Sequence, residues 1–212
     1  MTDRMHVPVL RDEVLGFLEP GPGRRFVDGT FGFGGHSESL LEAGAEVLGL
    51  DLDEEAVAAC RRISTDRPRL LCQRCSFRDL EAAVARVGWP NIDGLLLDLG
   101  VSSRQLDDPD KGFSYRADGP LDLRFDQHTG RPACDLLAVM DEKDLARILR
   151  DFGEERGARS LASAIKGAER MEPLRTTAQL VAVVTAALPA GAPVNAVLSR
   201  VFQALRIAVN EE

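Results

Sequence analysis

The residues with the most chemical content lie close together near the start of the chain. Asp28 heads the run Gly29-Thr30-Phe31-Gly32-Phe33-Gly34-Gly35-His36, and Asp51 follows Gly32 by 19 residues. Three glycines within four positions let the backbone turn sharply and present bare N–H groups to a polar ligand. A carboxylate about 20 residues beyond such a turn is placed to grip ribose hydroxyls. Together these features point to a bound nucleoside. A glycine-rich turn that serves only the fold is the alternative reading of the same residues.

The spacing separates one ligand from another. A dinucleotide fingerprint G-x-G-x-x-G counted from Gly32 needs glycine at 37, where Ser37 stands, and this disfavours a nicotinamide oxidoreductase. No Lys-Ser or Lys-Thr follows the glycines, which excludes a P-loop. A nucleoside without pyrophosphate suits G-x-G-G better, and S-adenosylmethionine is the expected cofactor.

These residues need a scaffold that sets them along one edge. Arg25-Phe26-Val27-Asp28 reads as a short buried strand, and Ser37-Glu38-Ser39-Leu40-Leu41 opens the helix behind the glycines. A second strand, Val47-Leu48-Gly49-Leu50, ends at Asp51, and Asp53 caps a helix from Glu54. Arg69-Leu70-Leu71-Cys72 is a third strand, followed by Ser76 as the cap of a helix over 79–87. Ile92-Asp93-Gly94-Leu95-Leu96-Leu97-Asp98 is a fourth, apolar enough to be buried on both faces of a parallel sheet. Alternating strands and helices predict an α/β fold with a doubly wound sheet. Asp98 then falls at the carboxyl edge, where such sheets hold their ligands.

A long irregular connection follows, containing Gln105 and the only tyrosine, Tyr115; loops of this length are usually functional or disordered, and a plain solvated loop stays open. Beyond Asp141, which pairs with Asp144 as an N-cap, the chain reads as helical. Ala158, Leu161, Ala162 and Ile165 make one apolar stripe, flanked by Arg159, Lys166 and Arg170. Thr176 or Thr177 starts a further helix, and Asn195 caps the last. The basic flank is as compatible with a solvated face as with an RNA-binding one.

The net charge of −8 lies wholly in residues 1–110, while residues 111–212 balance to zero. An acidic first half suits a cationic ligand such as a sulfonium and leaves any polyanion to local basic patches elsewhere. No apolar run approaches the roughly 20 residues of a membrane span, and the N-terminus lacks the apolar core of a signal peptide. The cytoplasm is therefore the expected compartment. Cys60, Cys72, Cys75 and Cys134 are expected to be reduced structural thiols; Cys72-Gln73-Arg74-Cys75 alone does not make a metal site, and no metal is expected.

With these blocks in place, the chain resembles the bacterial family of small-subunit ribosomal RNA methyltransferases that act on the N4 amine of a cytidine. The resemblance rests on His6-Val7-Pro8-Val9-Leu10, on Asp28 through Ser37, and on Asp98-Leu99-Gly100-Val101-Ser102-Ser103. It continues through Gln105-Leu106-Asp107-Asp108, Gly112-Phe113-Ser114, Asp118-Gly119-Pro120-Leu121-Asp122, Gly153-Glu154-Glu155-Arg156 and Phe202-Gln203-Ala204-Leu205-Arg206-Ile207. It implies a Rossmann-like cofactor-binding portion over 1–115 and a helical insertion with its connecting loop over 116–212. Cofactor contacts carry over to Gly34, Gly35, His36, Asp51, Phe77, Asp98 and Gln105, with Asp98 also the candidate catalytic acceptor. The implied partner is small-subunit ribosomal RNA or the small ribosomal subunit; the oligomeric state stays open.

Two departures stand out. Ala196-Val197-Leu198-Ser199-Arg200 replaces a His-Pro-Ala segment of the family, and the sequence stops at Asn210-Glu211-Glu212, before strands that the family adds to its sheet. The expectation is accordingly a sheet of four strands, and an inactive cofactor-binding fragment is the alternative to an active enzyme.

Overall fold

Short β-branched and apolar runs separated by helices build a parallel sheet, because each crossover helix returns the chain to the same end. In the computed structural model, which describes residues 8–212, the sheet has four strands. They are β1 (Arg25–Asp28), β2 (Glu46–Asp51), β3 (Leu70–Arg74) and β4 (Gly94–Leu96), in the order β3-β2-β1-β4. Helices α1 (Arg11–Leu18), α2 (Gly35–Glu42), α3 (Glu54–Asp66) and α4 (Leu80–Arg86) accompany them. The α/β fold with its parallel sheet is as expected. His6 and Val7 of the opening block lie outside the described residues.

Alternation along β1 and β2 sends side chains to two apolar layers. Phe26 and Val47 join Leu40, Leu41 and Cys60 in one, while Val27, Leu48 and Leu50 join Ala83 and Trp89 in the other. The same alternation disposes of the Cys72-x-x-Cys75 pair. Cys72 packs against the first layer and Cys75 against the second, so the two thiols face opposite sides of the sheet. Cys72 is instead bonded to Cys60 of α3, which corrects the expectation of reduced thiols for that pair; Cys75 and Cys134 are free. Helix α3 lies against β3, and that contact makes the bridge possible.

Three other expectations change in the first unit. Helix α2 begins at Gly35, so His36 and Ser37 belong to its first turn. Ser76 caps a single 3₁₀ turn, Phe77–Asp79, and α4 starts only at Leu80. The fourth strand is shorter than its apolar run, and it is not buried on both faces. Leu95 and Leu97 are 38% and 39% exposed, because among the described residues β4 is an edge strand that pairs with β1 alone.

The chain divides into two compact units, Met1–Gly100 and Val101–Glu212. The expected boundary after residue 115 falls inside the second, since Phe113 packs into that unit's core. Its helices are α5 (Ser103–Asp107), α6 (Ala133–Val139), α7 (Glu142–Asp151), α8 (Ala158–Met171), α9 (Thr177–Ala187) and α10 (Val194–Asn210). Leu145, Leu149, Leu161, Ile165, Leu180, Val201 and Leu205 fill the interior between them.

The irregular segment before α6 is tightly built. A Cβ on Gly112 or Gly119 would lie 2.1 Å from the carbonyl oxygen of Pro120 or Pro109 respectively. Thr177 ties the segment to α9, donating to the Ala117 carbonyl at 2.8 Å and accepting from Gly119 N–H at 3.1 Å. Asp141 and Thr176 cap α7 and α9 as expected. Asn195 does not cap α10, which starts at Val194 after Pro193.

Candidate active site

Beta-strand β1 sits between β2 and β4, so the chain runs outward from it in both directions. At such a switch point the carboxyl ends of neighbouring strands open a crevice for ligands. Asp28 ends β1, Asp51 ends β2, and Asp98 follows β4. The glycine turn is bonded to both neighbours of β1. Phe31 N–H donates to the Leu50 carbonyl at 3.0 Å, and Gly29 N–H donates to that of Leu96 at 2.9 Å. Asp98 N–H donates to Thr30 Oγ1 at 2.7 Å.

Two glycines here have no substitute. Gly34, the residue before α2, has φ 85°, and a Cβ there would lie 2.8 Å from the Phe31 ring. Gly49 lets the same ring lie on β2, since a Cβ would approach it to 2.5 Å. Phe77, half-buried, stands with Leu97 over Gly29, where a Cβ would come within 3.0 Å of the Phe77 Cβ. These contacts fix the turn against the sheet and aim α2 at its edge.

Each carboxylate has a different setting. Asp28 is 1% exposed and accepts from Ser37 Oγ at 2.6 Å and Thr30 N–H at 3.2 Å. Burial, with smaller contributions from the charges of Asp51 and Asp98, pushes its pKa up to about 6. Asp51 accepts from Gly32 N–H at 2.8 Å and Asp53 N–H at 2.9 Å, which orients its carboxylate at the end of β2. Burial raises its pKa too. Asp98 is 61% exposed, and its Oδ2 lies 3.7 Å from Nε2 of His36.

His36 is nearly buried, and its Nδ1 has no hydrogen-bond partner among the described residues. Burial pulls its pKa below the ordinary value, opposed by the Asp98 charge. Three carboxylates and a neutral imidazole around a glycine turn suit a cationic ligand and oppose a pyrophosphate.

Of the residues singled out from sequence, Gly34, Gly35, His36, Asp51, Phe77 and Asp98 all belong to this unit. Gln105 belongs to the second unit. There its Oε1 accepts from Ser102 N–H at 2.9 Å, while its own N–H donates to Ser102 Oγ at 3.2 Å, closing the capping box of α5. Ser37, which in sequence only breaks a dinucleotide fingerprint, is fully buried and holds Asp28. A glycine there would leave Asp28 short of a donor, and a hydroxyl directly after the glycine turn was the signal for this role.

Lys166 is also misplaced by periodicity alone. It is 7% exposed, and its ammonium donates to the carbonyls of Leu137 and Ala138 at the end of α6, so it is no part of a basic surface. Among the described residues no helix is long and apolar enough to cross a membrane.

Residues 3–212 match the model of the MraW methylase family. The chain is 47% identical over 213 residues to "Ribosomal RNA small subunit methyltransferase H" of Anaeromyxobacter sp. (strain K), covering 99% of this chain and 68% of that protein. Proteins with the same name from Geotalea daltonii and Heliobacterium modesticaldum are each 44% identical, over 100% and 98% of this chain and 70% and 68% of their own lengths. A glycine turn bonded to both neighbouring strands, a family match over nearly every residue and relatives this similar lead to one assignment: the chain belongs to the MraW methylase family.

Proposed function

We propose that this protein methylates the exocyclic N4 amine of a cytidine in small-subunit ribosomal RNA, with S-adenosylmethionine as methyl donor. The observation that carries the cofactor is the set of carboxylates at the ends of β1 and β2 and just beyond β4, where Asp51 accepts from Gly32 N–H of the glycine turn. When bound, S-adenosylmethionine supplies an electrophilic methyl group on a cationic sulfur. The Asp51 carboxylate, with acceptor capacity left beyond its backbone bonds, receives ribose hydroxyls. Gly34, Gly35 and His36 line the turn, Phe77 offers a ring for adenine to pack on, and Gln105 is a further contact by family resemblance.

The relatives' printed name supports small-subunit ribosomal RNA as the acceptor, and the cytidine N4 amine is what the family resemblance implies, with Asp98 placed to serve it. A cytosine amine is a poor nucleophile, because its lone pair is delocalised into the ring. The protein must align nitrogen, methyl and sulfur and accept an amine hydrogen. Asp98 is exposed at the strand end and is the acceptor in this reading. The target base leaves its stack to reach it. The setting is cytoplasmic, where small ribosomal subunits are assembled.

Calorimetry with S-adenosylmethionine and with NAD tests the cofactor, and methyl transfer to isolated small ribosomal subunits tests the acceptor. Binding of NAD in preference overturns the first assignment. Methylation of protein or DNA instead of RNA overturns the second. Cofactor binding without transfer to any acceptor would leave a binding module.

A further inference from the structure

We propose that His36 is a positioning residue for Asp98: its Nε2–H directs one carboxylate oxygen so that the other faces the acceptor amine. The inference rests on the methyl-transfer reading and assigns His36 a role beyond contact with the cofactor.

The argument begins with the histidine's surroundings. His36 is the second residue of α2, and its side chain is 9% exposed. Burial disfavours an imidazolium more than the nearby Asp98 charge favours one, and His36 is drawn toward the neutral form accordingly. A neutral imidazole carries one N–H and one bare nitrogen. A buried N–H without an acceptor is rarer than a bare acceptor left without a donor. Among the described residues Nδ1 has no hydrogen-bond partner, and Nε2 faces the Asp98 carboxylate at 3.7 Å, beyond hydrogen-bond length but close enough for that charge to favour the proton on Nε2.

Other charged groups do not supply an alternative partner. On β1, Asp28 bonds Ser37 and Thr30; on β2, Asp51 bonds Gly32 and Asp53. Arg11 of α1 reaches Ser39 and Glu42 of α2, and Glu38 is the remaining titratable group of that helix. The Asp98 main chain is anchored through its N–H to Thr30 Oγ1, so the side-chain torsions are what His36 sets.

The chemistry balances without a further reagent. As the nitrogen–methyl bond forms, the sulfur–methyl bond breaks and its electron pair stays on sulfur. The proton shed by the nitrogen passes to Asp98 Oδ1, with Oδ2 drawn toward His36, and then to water. Protonating His36 would add a buried N–H with no acceptor and convert the contact to an ion pair, withdrawing Oδ2 and its neighbour from the amine.

Nitrogen-15 NMR of the His36 ring in the intact protein reads the first step without any catalysis. The expected result at pH 7.5 is the Nε2–H tautomer, with a titration midpoint that drops in Asp98→Asn. A proton on Nδ1, or a midpoint indifferent to Asp98→Asn, overturns the pairing. Kinetics then read the second step on small subunits. His36→Ala should lower kcat up to about 100-fold, well beyond whatever cofactor affinity its lost contact costs. His36→Gln, which keeps an N–H donor near Nε2, should recover part of kcat while shifting the acid limb of the pH profile. Equal losses in kcat and cofactor affinity, or an unchanged acid limb in both variants, overturn positioning. Methyl transfer absent from the wild type would count against the proposed function, and the tautomer would still decide the pairing.

Discussion

Lys166 of the second unit and His36 of the first are 7% and 8% exposed, yet their surroundings differ. The lysine closes the end of α6 through two carbonyls, whereas the histidine has a nitrogen with no hydrogen-bond partner among the described residues. The pattern extends to neighbours. In the second unit, Glu155 accepts from Arg200 Nη2 at 2.7 Å and from Gly157 N–H at 2.7 Å. Asn210 donates to the Leu123 carbonyl at 2.7 Å and accepts from Phe125 N–H at 2.8 Å. In the first unit, Asp28 is a buried carboxylate and Asp51 a half-buried one, both raised in pKa, with no cation among the described residues bonded to them. Fully satisfied polar groups stabilise a unique packing; incompletely satisfied ones at a strand edge mark a site prepared for a ligand.

The largest expected effect tests the structural side of this contrast. Gly112→Ala should destabilise by about 4 kcal/mol in urea melts, because φ is +71° and the new Cβ would collide with the Pro120 carbonyl. Cofactor affinity of the folded protein should change less than about 3-fold. A collapse of affinity at intact stability would erase the division of labour.

Asp28 comes next, and its effect has a sign. Its folded pKa of about 6 lies above the ordinary 3.8. The neutral form is therefore favoured by folding, and this stabilisation is complete below about pH 4 and lost as pH rises through about 6. Asp28→Asn keeps an acceptor for Thr30 and a donor for Ser37. From pH 3.5 to 7, stability should shift in favour of the variant by up to about 3 kcal/mol. Parallel pH curves for the two proteins would show Asp28 to be satisfied like the groups of the second unit.

Asp51→Ala should weaken S-adenosylmethionine binding by about 10- to 150-fold, corresponding to about 1.5–3 kcal/mol, with little change in melting temperature. Unchanged affinity in calorimetry would remove Asp51 from the site. The smallest effect is expected for Lys166→Met, which preserves the packed chain and loses the bonds to α6. It should cost about 1–2 kcal/mol and leave RNA affinity unaltered. A fall in RNA affinity at unchanged stability would return Lys166 to a binding surface.

Much of the site was legible before any coordinates, for local reasons. Glycines where φ is positive, an acid at a strand end and the interval from Gly32 to Asp51 are properties of one β-α-β unit. The expected strand in Ile92-Asp93-Gly94-Leu95-Leu96-Leu97-Asp98 had the right place and the wrong burial, since apolar composition does not say whether a second neighbour exists. The Gly153-Glu154-Glu155 block of the family resemblance likewise has a packing reason. A Cβ on Gly153 would meet the Arg200 carbonyl at 2.6 Å, and Glu155 is paired with Arg200.

By itself the sequence determined the alternation of strands and helices, the glycine turn with its acid at the next strand end, and the family. Those depend on periodicity and spacing within about 30 residues, where chain geometry leaves few choices. Tertiary structure alone decided that His36 meets Asp98, that Cys60 joins Cys72, that Ser37 holds Asp28 inside the sheet and that Lys166 is buried. Each depends on which elements become neighbours and which face of a helix or strand they share. Strand order and helix packing set that proximity, and neither is written in a local pattern.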